Sequence, residues 1–204
     1  MQLSIDKMKR TRIELSTFFP ECCSFTFIMK TLTPEEFLRL VWPKKLLTHE
    51  TLELRLIERT TKKVKREFSS SVDDFLKRAQ KYDEEYNVYF GVSTRYGRSG
   101  KKSDCYRVQA VWADLDHREV SDSFPIPKPD LIVDSGGGLH VYFLLESPVL
   151  VRDGRWERIE AINRGLCKHL GGDIAAIDCS RILRVPSYMN HKYDPPRIVK
   201  AYLL

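Results

Sequence analysis

Along this chain the spacing of apolar positions switches between helical and alternating periods. Thr33-Pro34-Glu35-Glu36 supplies an N-cap, a proline at the first helical position and a glutamate three residues past the cap. A helix is therefore predicted from residue 33 to about Val41, stopping before Pro43. Leu52, Leu54 and Leu56 then alternate with Glu53 and Arg55, the period of a strand. A polar turn at 60–63 and a short strand near 64–68 complete a hairpin. Ser71 caps a second helix over 71–82, with Asp74 three residues on and Val72, Phe75, Leu76 and Ala79 on its apolar side.

From residue 85 the alternating period dominates. Strands are predicted at 86–92 and 106–115, joined by a basic, glycine-containing, mobile loop at 93–104. Pro125, Pro127 and Pro129 make 121–130 a connection. Strands at 131–134 and 139–145 flank Gly136-Gly137-Gly138. Trp156, Ile159, Ile162 and Leu166 stripe a helix over 155–170, which Gly171-Gly172 ends. Short segments at 175–179 and 181–185 and a final strand within 197–204 follow. Residues 24–29, SFTFIM, read as a strand or a packing arm. The element order gives an α+β class: an antiparallel or mixed sheet with helices on one side. A dinucleotide-binding fold is excluded, because no glycine-rich turn joins a strand directly to a helix at the required spacing.

The chain has 204 residues, enough for one medium domain with its own core. Charge refines this picture. Lys and Arg total 34 against 28 Asp and Glu, a net charge of +6. Basic residues cluster in 55–66, in 95–107 and in 181–200. The last two clusters flank an acidic pair at 114 and 116, a pattern suited to holding metal and phosphate together. The lysines of 62–66 read equally well as a solvated face. Five cysteines without a CxxC pair indicate reduced thiols and no zinc site. No apolar run is long enough to span a bilayer, so a cytoplasmic protein with no membrane partner is expected.

Three segments carry candidate chemistry. In Val111-Trp112-Ala113-Asp114-Leu115-Asp116, side chains two apart share a strand face, so Asp114 and Asp116 point together while Leu115 turns into the core. Two carboxylates aimed at one place suit a hard divalent cation. The plainer reading is an acidic strand end. In Asp134 to Tyr142, three glycines allow close approach of a ligand, and His140 is either a donor to a nucleotide phosphate or a packed histidine after a hairpin turn. In 177–192, Asp178 is a candidate third carboxylate. Arg181 and Arg184 suit phosphate if the segment turns tightly and diverge if it is extended. Asn190 and Lys192 share a face if extended and could hold phosphate, sugar or template.

Taken in order, these segments resemble the three motifs of the archaeo-eukaryotic primase superfamily, in its primase-polymerase branch that includes plasmid RepB-like, phage and CRISPR-associated proteins. Asp114-Leu115-Asp116 is similar to the first motif, Ser135 to His140 to the second, and Asp178 with Arg181, Arg184, Pro186, Asn190 and Lys192 to the third and its trailing signature. The resemblance spans about residues 85–195. It implies an RRM-like catalytic sheet with helices packed on it, joined to a small N-terminal α/β module. The segments are then an arm at 1–30, the module at 31–84 and the catalytic module at 85–204, the last two forming one domain.

The implied activity is template-directed transfer of nucleotides from NTP or dNTP to a 3′-hydroxyl, on a DNA template and primer. The metal set would be Asp114, Asp116 and Asp178 with two Mg²⁺ or Mn²⁺ ions. Nucleotide binding would fall to Ser135, Gly137, His140, Arg181, Arg184 and Lys192, and nucleic-acid binding to Arg95, Arg98, Lys101, Lys102 and Asn190. A helicase or accessory priming domain is an implied partner. Two rivals follow from the same residues. A rolling-circle nicking endonuclease would use Tyr188 or Tyr193 as nucleophile. A noncatalytic single-stranded nucleic-acid-binding module would stack bases on Tyr86, Tyr89 and Tyr106.

Overall fold

The computed structural model describes residues 29–82, 84–119 and 128–204. All but the last two residues of the predicted arm at 1–30, and most of the proline-rich connection at 121–130, lie outside these residues. Near the N-terminus, β1 (Lys30–Leu32) leads into α1 (Pro34–Val41). The Thr33 side chain accepts from Glu36 N–H, and the Glu36 carboxylate accepts from Thr33 N–H, so the cap forms in both directions. The hairpin is β2 (Glu50–Glu58) and β3 (Val64–Ser69), and the Ser71-capped helix is α2 (Val72–Ala79).

The later elements are β4 (Tyr86–Gly91), β5 (Arg95–Tyr96), β6 (Arg107–Asp116), β7 (Leu131–Asp134), β8 (Gly138–Leu150), α3 (Trp156–Leu170), β9 (Ile182–Arg184), β10 (Met189–Asn190), β11 (Arg197–Ile198) and β12 (Lys200–Leu203). Gly171 ends α3 in the left-handed conformation, as its position after the stripe predicts.

Ten of these strands build two five-stranded sheets, and β10 and β11 pair with each other in a separate two-stranded one. The first runs β1-β12-β7-β8-β6. The second runs β3-β2-β4-β9, with β5 also paired to β2. All the pairings are antiparallel. A single apolar core joins the sheets: Leu54, Leu56, Val88 and Phe90 from the second pack with Trp112, Leu131, Val133 and Tyr142 from the first. Phe37 of α1 meets Phe90 and Tyr142 edge-on, with ring centroids 5.5 and 5.4 Å away. On the opposite face of the first sheet, Ala113, Leu115, Leu139 and Val141 pack against Cys167 and Leu170 of α3. Helices thus cover both faces of this sheet, not one as expected. The alternation predicted this poorly because β6 and β8 are apolar on both sides, which is the pattern of a doubly covered strand.

Strands from before and after residue 84 share both sheets. β4 pairs with β2, and β1 pairs with β12. The connection at 93–104, expected to be a mobile loop, is instead partly interior. Ser93, Thr94 and Arg95 are buried, and β5 and a 3₁₀ turn at Lys102–Asp104 lie within it. Arg95 Nε donates to Glu53 Oε2 at 2.7 Å, both side chains having no exposure. The two basic stretches therefore divide: Arg95 and Arg107 neutralise the buried acids Glu53 and Glu50, while residues 61–66 remain exposed.

Candidate active site

The carboxylate pair sits at the end of β6. Register sets Asp114 opposite His140 and Asp116 opposite Gly138 on β8. Leu115, between the acids, is fully buried on the other face, as the two-residue period requires. The Gly138–Leu150 strand begins straight after the Gly136–Gly137 turn, so the turn is held beside the acids. Ser135 Oγ and Ser135 N both donate to Gly138 O, at 2.8 and 2.9 Å.

A cleft of about 290 Å³ opens at this end, between the two sheets. The first sheet contributes Asp114, Asp116 and His140, and Ser135 and Gly137 line it from the adjoining turn. The second contributes Tyr89 and Arg184, which are cross-strand partners. Arg181, Asn190, Lys192 and Tyr193 complete it. Arg184 lies 4.8 Å over the Tyr89 ring and donates to Asn87 Oδ1 at 2.9 Å, so its guanidinium is fixed and its reach into the cleft is set. Residues 181–184 resolve the alternative left open by the sequence: 182–184 are extended as β9, yet both arginines still line the cleft.

Burial, and next the charge of Asp116, push the Asp114 carboxyl up to about 6, although Arg181 and Arg184 oppose the shift. The same burial pushes His140 down to about 3, reinforced by Arg184 and Arg181. His140 is therefore neutral at physiological pH. Its Nε2 lies 3.8 Å from Asp114 Oδ1, too far for a hydrogen bond, and its buried Nδ1 has no partner among the described residues. A neutral imidazole can donate through one nitrogen only. A carboxylate pair facing the Arg181 and Arg184 guanidinium groups across one cleft is suited chemically to a divalent cation shared with phosphate.

The third predicted carboxylate is placed differently from the first two. Asp178 does not line the cleft; its Oδ1 accepts from Ser180 N at 3.0 Å and from the Ser180 hydroxyl. Asp173, which belongs to none of the three sequence segments, touches Asp114 through its backbone. Its N–H donates to Asp114 O at 2.7 Å, and its charge helps raise the Asp114 pKa. Gly172 permits this approach, since a Cβ there would fall 2.7 Å from Asp114 O. The signal available in sequence was the Gly-Gly-Asp that ends the helix before the third motif. Among the described residues no group of three or more His, Cys, Asp or Glu is gathered closely enough to hold a metal ion.

Other predicted residues are also redistributed. Arg95 is enclosed, bonding Glu53 and Ser180 O (3.1 Å), and cannot reach a nucleic acid. Lys102 Nζ pairs with Glu160 at 2.7 Å. Arg98 and Lys101 remain exposed but outside the cleft. Asn190 is buried and donates to Ser135 O at 2.6 Å, while its Oδ1 accepts from Lys192 N at 3.0 Å. It braces the glycine turn against the segment carrying Lys192. Tyr86, Tyr89 and Tyr106 are all half-buried, Tyr89 beneath Arg184, so they form no open stacking face.

No protein-family model matches the sequence. A replication protein of Clostridium perfringens is 30% identical over 108 residues, 53% of this chain and 25% of that protein. The chain thus spans about a quarter of the length of that relative. Among solved structures, the AEP domain of the cyanophage S-2L primase-polymerase superposes with a TM-score of 0.55 at 18% identity, over 74% of this chain and 80% of that one. The catalytic domain of primase RepB′, in complex with initiator DNA, gives 0.48 at 18% identity over 74% of each chain. The fold is that of the primase-polymerase catalytic domain, the α+β architecture the sequence resemblance implied. Among the described residues no helix is long and apolar enough to cross a membrane.

Proposed function

We propose that this chain is a primase-polymerase catalytic core that transfers nucleotides from NTP or dNTP to a 3′-hydroxyl on a DNA template. One observation carries the reading: Asp114–Asp116, Ser135–His140 and Arg181–Lys192, far apart in sequence, line one cleft between the sheets. Asp114 and Asp116 would hold Mg²⁺ or Mn²⁺, one ion or two, while the Asp173 and Asp178 carboxylates lie outside the cleft lining. Bound there, a divalent ion supplies a lowered pKa for the attacking hydroxyl and charge neutralisation for the triphosphate. His140, neutral and enclosed, would donate to a phosphate oxygen. Arg181, Arg184 and Lys192 would offset the charge that develops on the phosphoryl groups. Segments 31–84 and 85–204 act as one domain, because each sheet draws strands from both. A helicase or further priming domain would lie elsewhere in a longer protein of the kind matched in Clostridium perfringens.

Primer extension with Mg²⁺ or Mn²⁺, comparing dNTPs with NTPs, tests the proposal. Replacing Asp114 and Asp116 together with Ala is expected to abolish incorporation while the far-UV spectrum stays native. Undiminished incorporation by the folded double variant would sink the reading. If the protein instead nicks single-stranded DNA and leaves a covalent adduct that Tyr193→Phe removes, the endonuclease alternative is correct.

A further inference from the structure

Leu54, Leu56, Val88 and Phe90 of the second sheet face the core, so the residues between them share the outer face. On that face one row of side chains crosses four strands in register. Arg66 of β3 stands opposite Arg55 of β2, Arg55 opposite Tyr89 of β4, and Tyr89 opposite Arg184 of β9. Tyr89 and Arg184 line the cleft, whereas Arg55 and Arg66 do not. We infer that Arg55 and Arg66, with the turn at 98–101 packed on them, form a second anion site that takes a phosphate group outside the cleft.

The charge at this end of the row is unbalanced. Like charges directly opposite each other on a sheet destabilise it. One carboxylate, Glu53, serves three guanidinium groups here. It accepts from Arg95 Nε at 2.7 Å and from Arg55 Nε at 2.8 Å, and lies 3.8 Å from Arg66 Nε. Glu53 is fully buried while Arg66 is half exposed, so the excess positive charge lies toward solvent. Arg98 and Lys101, in the adjoining turn, are exposed and make no ion pair among the described residues. A bound anion offsets what Glu53 leaves.

The turn has a set shape. Gly97 N–H donates to His49 O at 2.8 Å, and Lys101 N–H donates to Ser99 Oγ at 3.3 Å. Gly100 lies against the arginines: a Cβ there would fall 2.8 Å from Arg55 Nη2, 2.9 Å from Glu53 Oε1 and 3.3 Å from Arg66 Nε. Only glycine allows so close an approach. Arg55 uses Nε and Nη2 on Glu53. Its Nη1 and the terminal nitrogens of Arg66 have no acceptor among the described residues. Guanidinium donors held side by side suit the oxygens of a phosphate.

Arg55 and Arg184 are separated by two strand spacings, roughly 10 Å, too far for one phosphate to bridge. The two ends of the row therefore bind separate groups. A phosphate can reach the outer end from a nucleic-acid strand or from a free polyphosphate, and both offer the same oxygens to the same donors.

Binding rather than turnover tests this, so the result stands apart from the polymerase reading. The whole chain is titrated in EDTA with labelled oligo-dT in one arm and inorganic tripolyphosphate in the other, as parent, Arg66→Ala and Gly100→Ala. Gly100→Ala keeps every charge, and the atoms its methyl meets are side-chain ends that shift while the fold stands; thermal melts check both variants. Each variant is expected to bind roughly fivefold more weakly, and Arg66→Ala should make the salt slope for oligo-dT shallower by about 0.7. Loss confined to oligo-dT identifies a phosphodiester strand as the source, loss confined to tripolyphosphate a free polyphosphate, and loss of both a site open to either. Lys77→Ala, at an exposed position on α2, should leave both affinities at the parental value. No binding of either ligand by the parent, full affinity for both ligands in Gly100→Ala, or an equal loss in Lys77→Ala would each overturn the inference.

Discussion

At the scale of single residues, the site is governed by what burial does to charge. Asp114 has its pKa raised to about 6 from an ordinary 3.8, so the folded protein holds that proton more tightly than the unfolded chain. Its ionisation therefore costs stability: nothing below about pH 4, and the full amount above about pH 6. In chelator-treated protein, Asp114→Asn should raise stability by roughly 2 kcal/mol at pH 8 and by almost nothing at pH 4. Denaturant melts at the two values check this; equal gains at both would contradict it. His140, held neutral, should contribute no limb to the activity profile between pH 5.5 and 9. Its replacement by Ala should raise the nucleotide KM by roughly tenfold or more, as for a lost bond to a charged group, with template binding little altered. Equal loss of both would remove it from the nucleotide site. Gly137→Ala should depress incorporation sharply, because the new methyl displaces the Tyr193 wall.

At the scale of elements, the strand ends and the turn before β9 hold the site in place. Two buried side chains fix that turn from a distance. Arg95 bonds Ser180 O while paired to Glu53, and Ser93 Oγ donates to Cys179 O at 2.6 Å. The ion pair has no exposure, so removing one member strands the other's charge. Glu53 also holds Arg55, so Glu53→Gln should cost about 3–5 kcal/mol, whereas Glu53→Met with Arg55→Met and Arg95→Met should recover much of that loss. Comparison of the two melts is decisive, since a surface-like pair would give a small effect in both. Helix caps, hairpins and strand periods were legible at this scale. Thr33, Ser71 and Gly171 cap as their sequence positions indicate, because capping depends on neighbours a few residues away. The burial of Arg95 was not legible, because its acid lies 42 residues earlier and composition alone marks an arginine-rich loop as solvent-facing.

At the scale of the whole molecule, both ends of the described chain close one sheet. β12 lies between β1 and β7, with Ala201 opposite Leu32 and Val133 and almost wholly buried. Ala201→Glu would put a carboxylate among those strands and should cost more than about 3 kcal/mol, seen as a fall in the denaturation midpoint. That sheet, like the other, draws strands from both sides of residue 84. Strand pairing follows complementarity of edges, and β4 finds its partner in β2 although the sequence pattern changes between them.

The sequence by itself determined the acid pair on one strand face, the glycine–histidine turn and the arginine-bearing third segment, because each depends on a local period or spacing. It also determined the α+β class and most element boundaries. Only the tertiary structure decided that these segments meet in one cleft between two sheets, that helices cover both faces of the first sheet, and that Asp173 stands closer to Asp114 than Asp178 does. Those facts depend on which strands pair and on how one sheet packs against another, and such contacts join residues too distant in the chain for any local pattern to record.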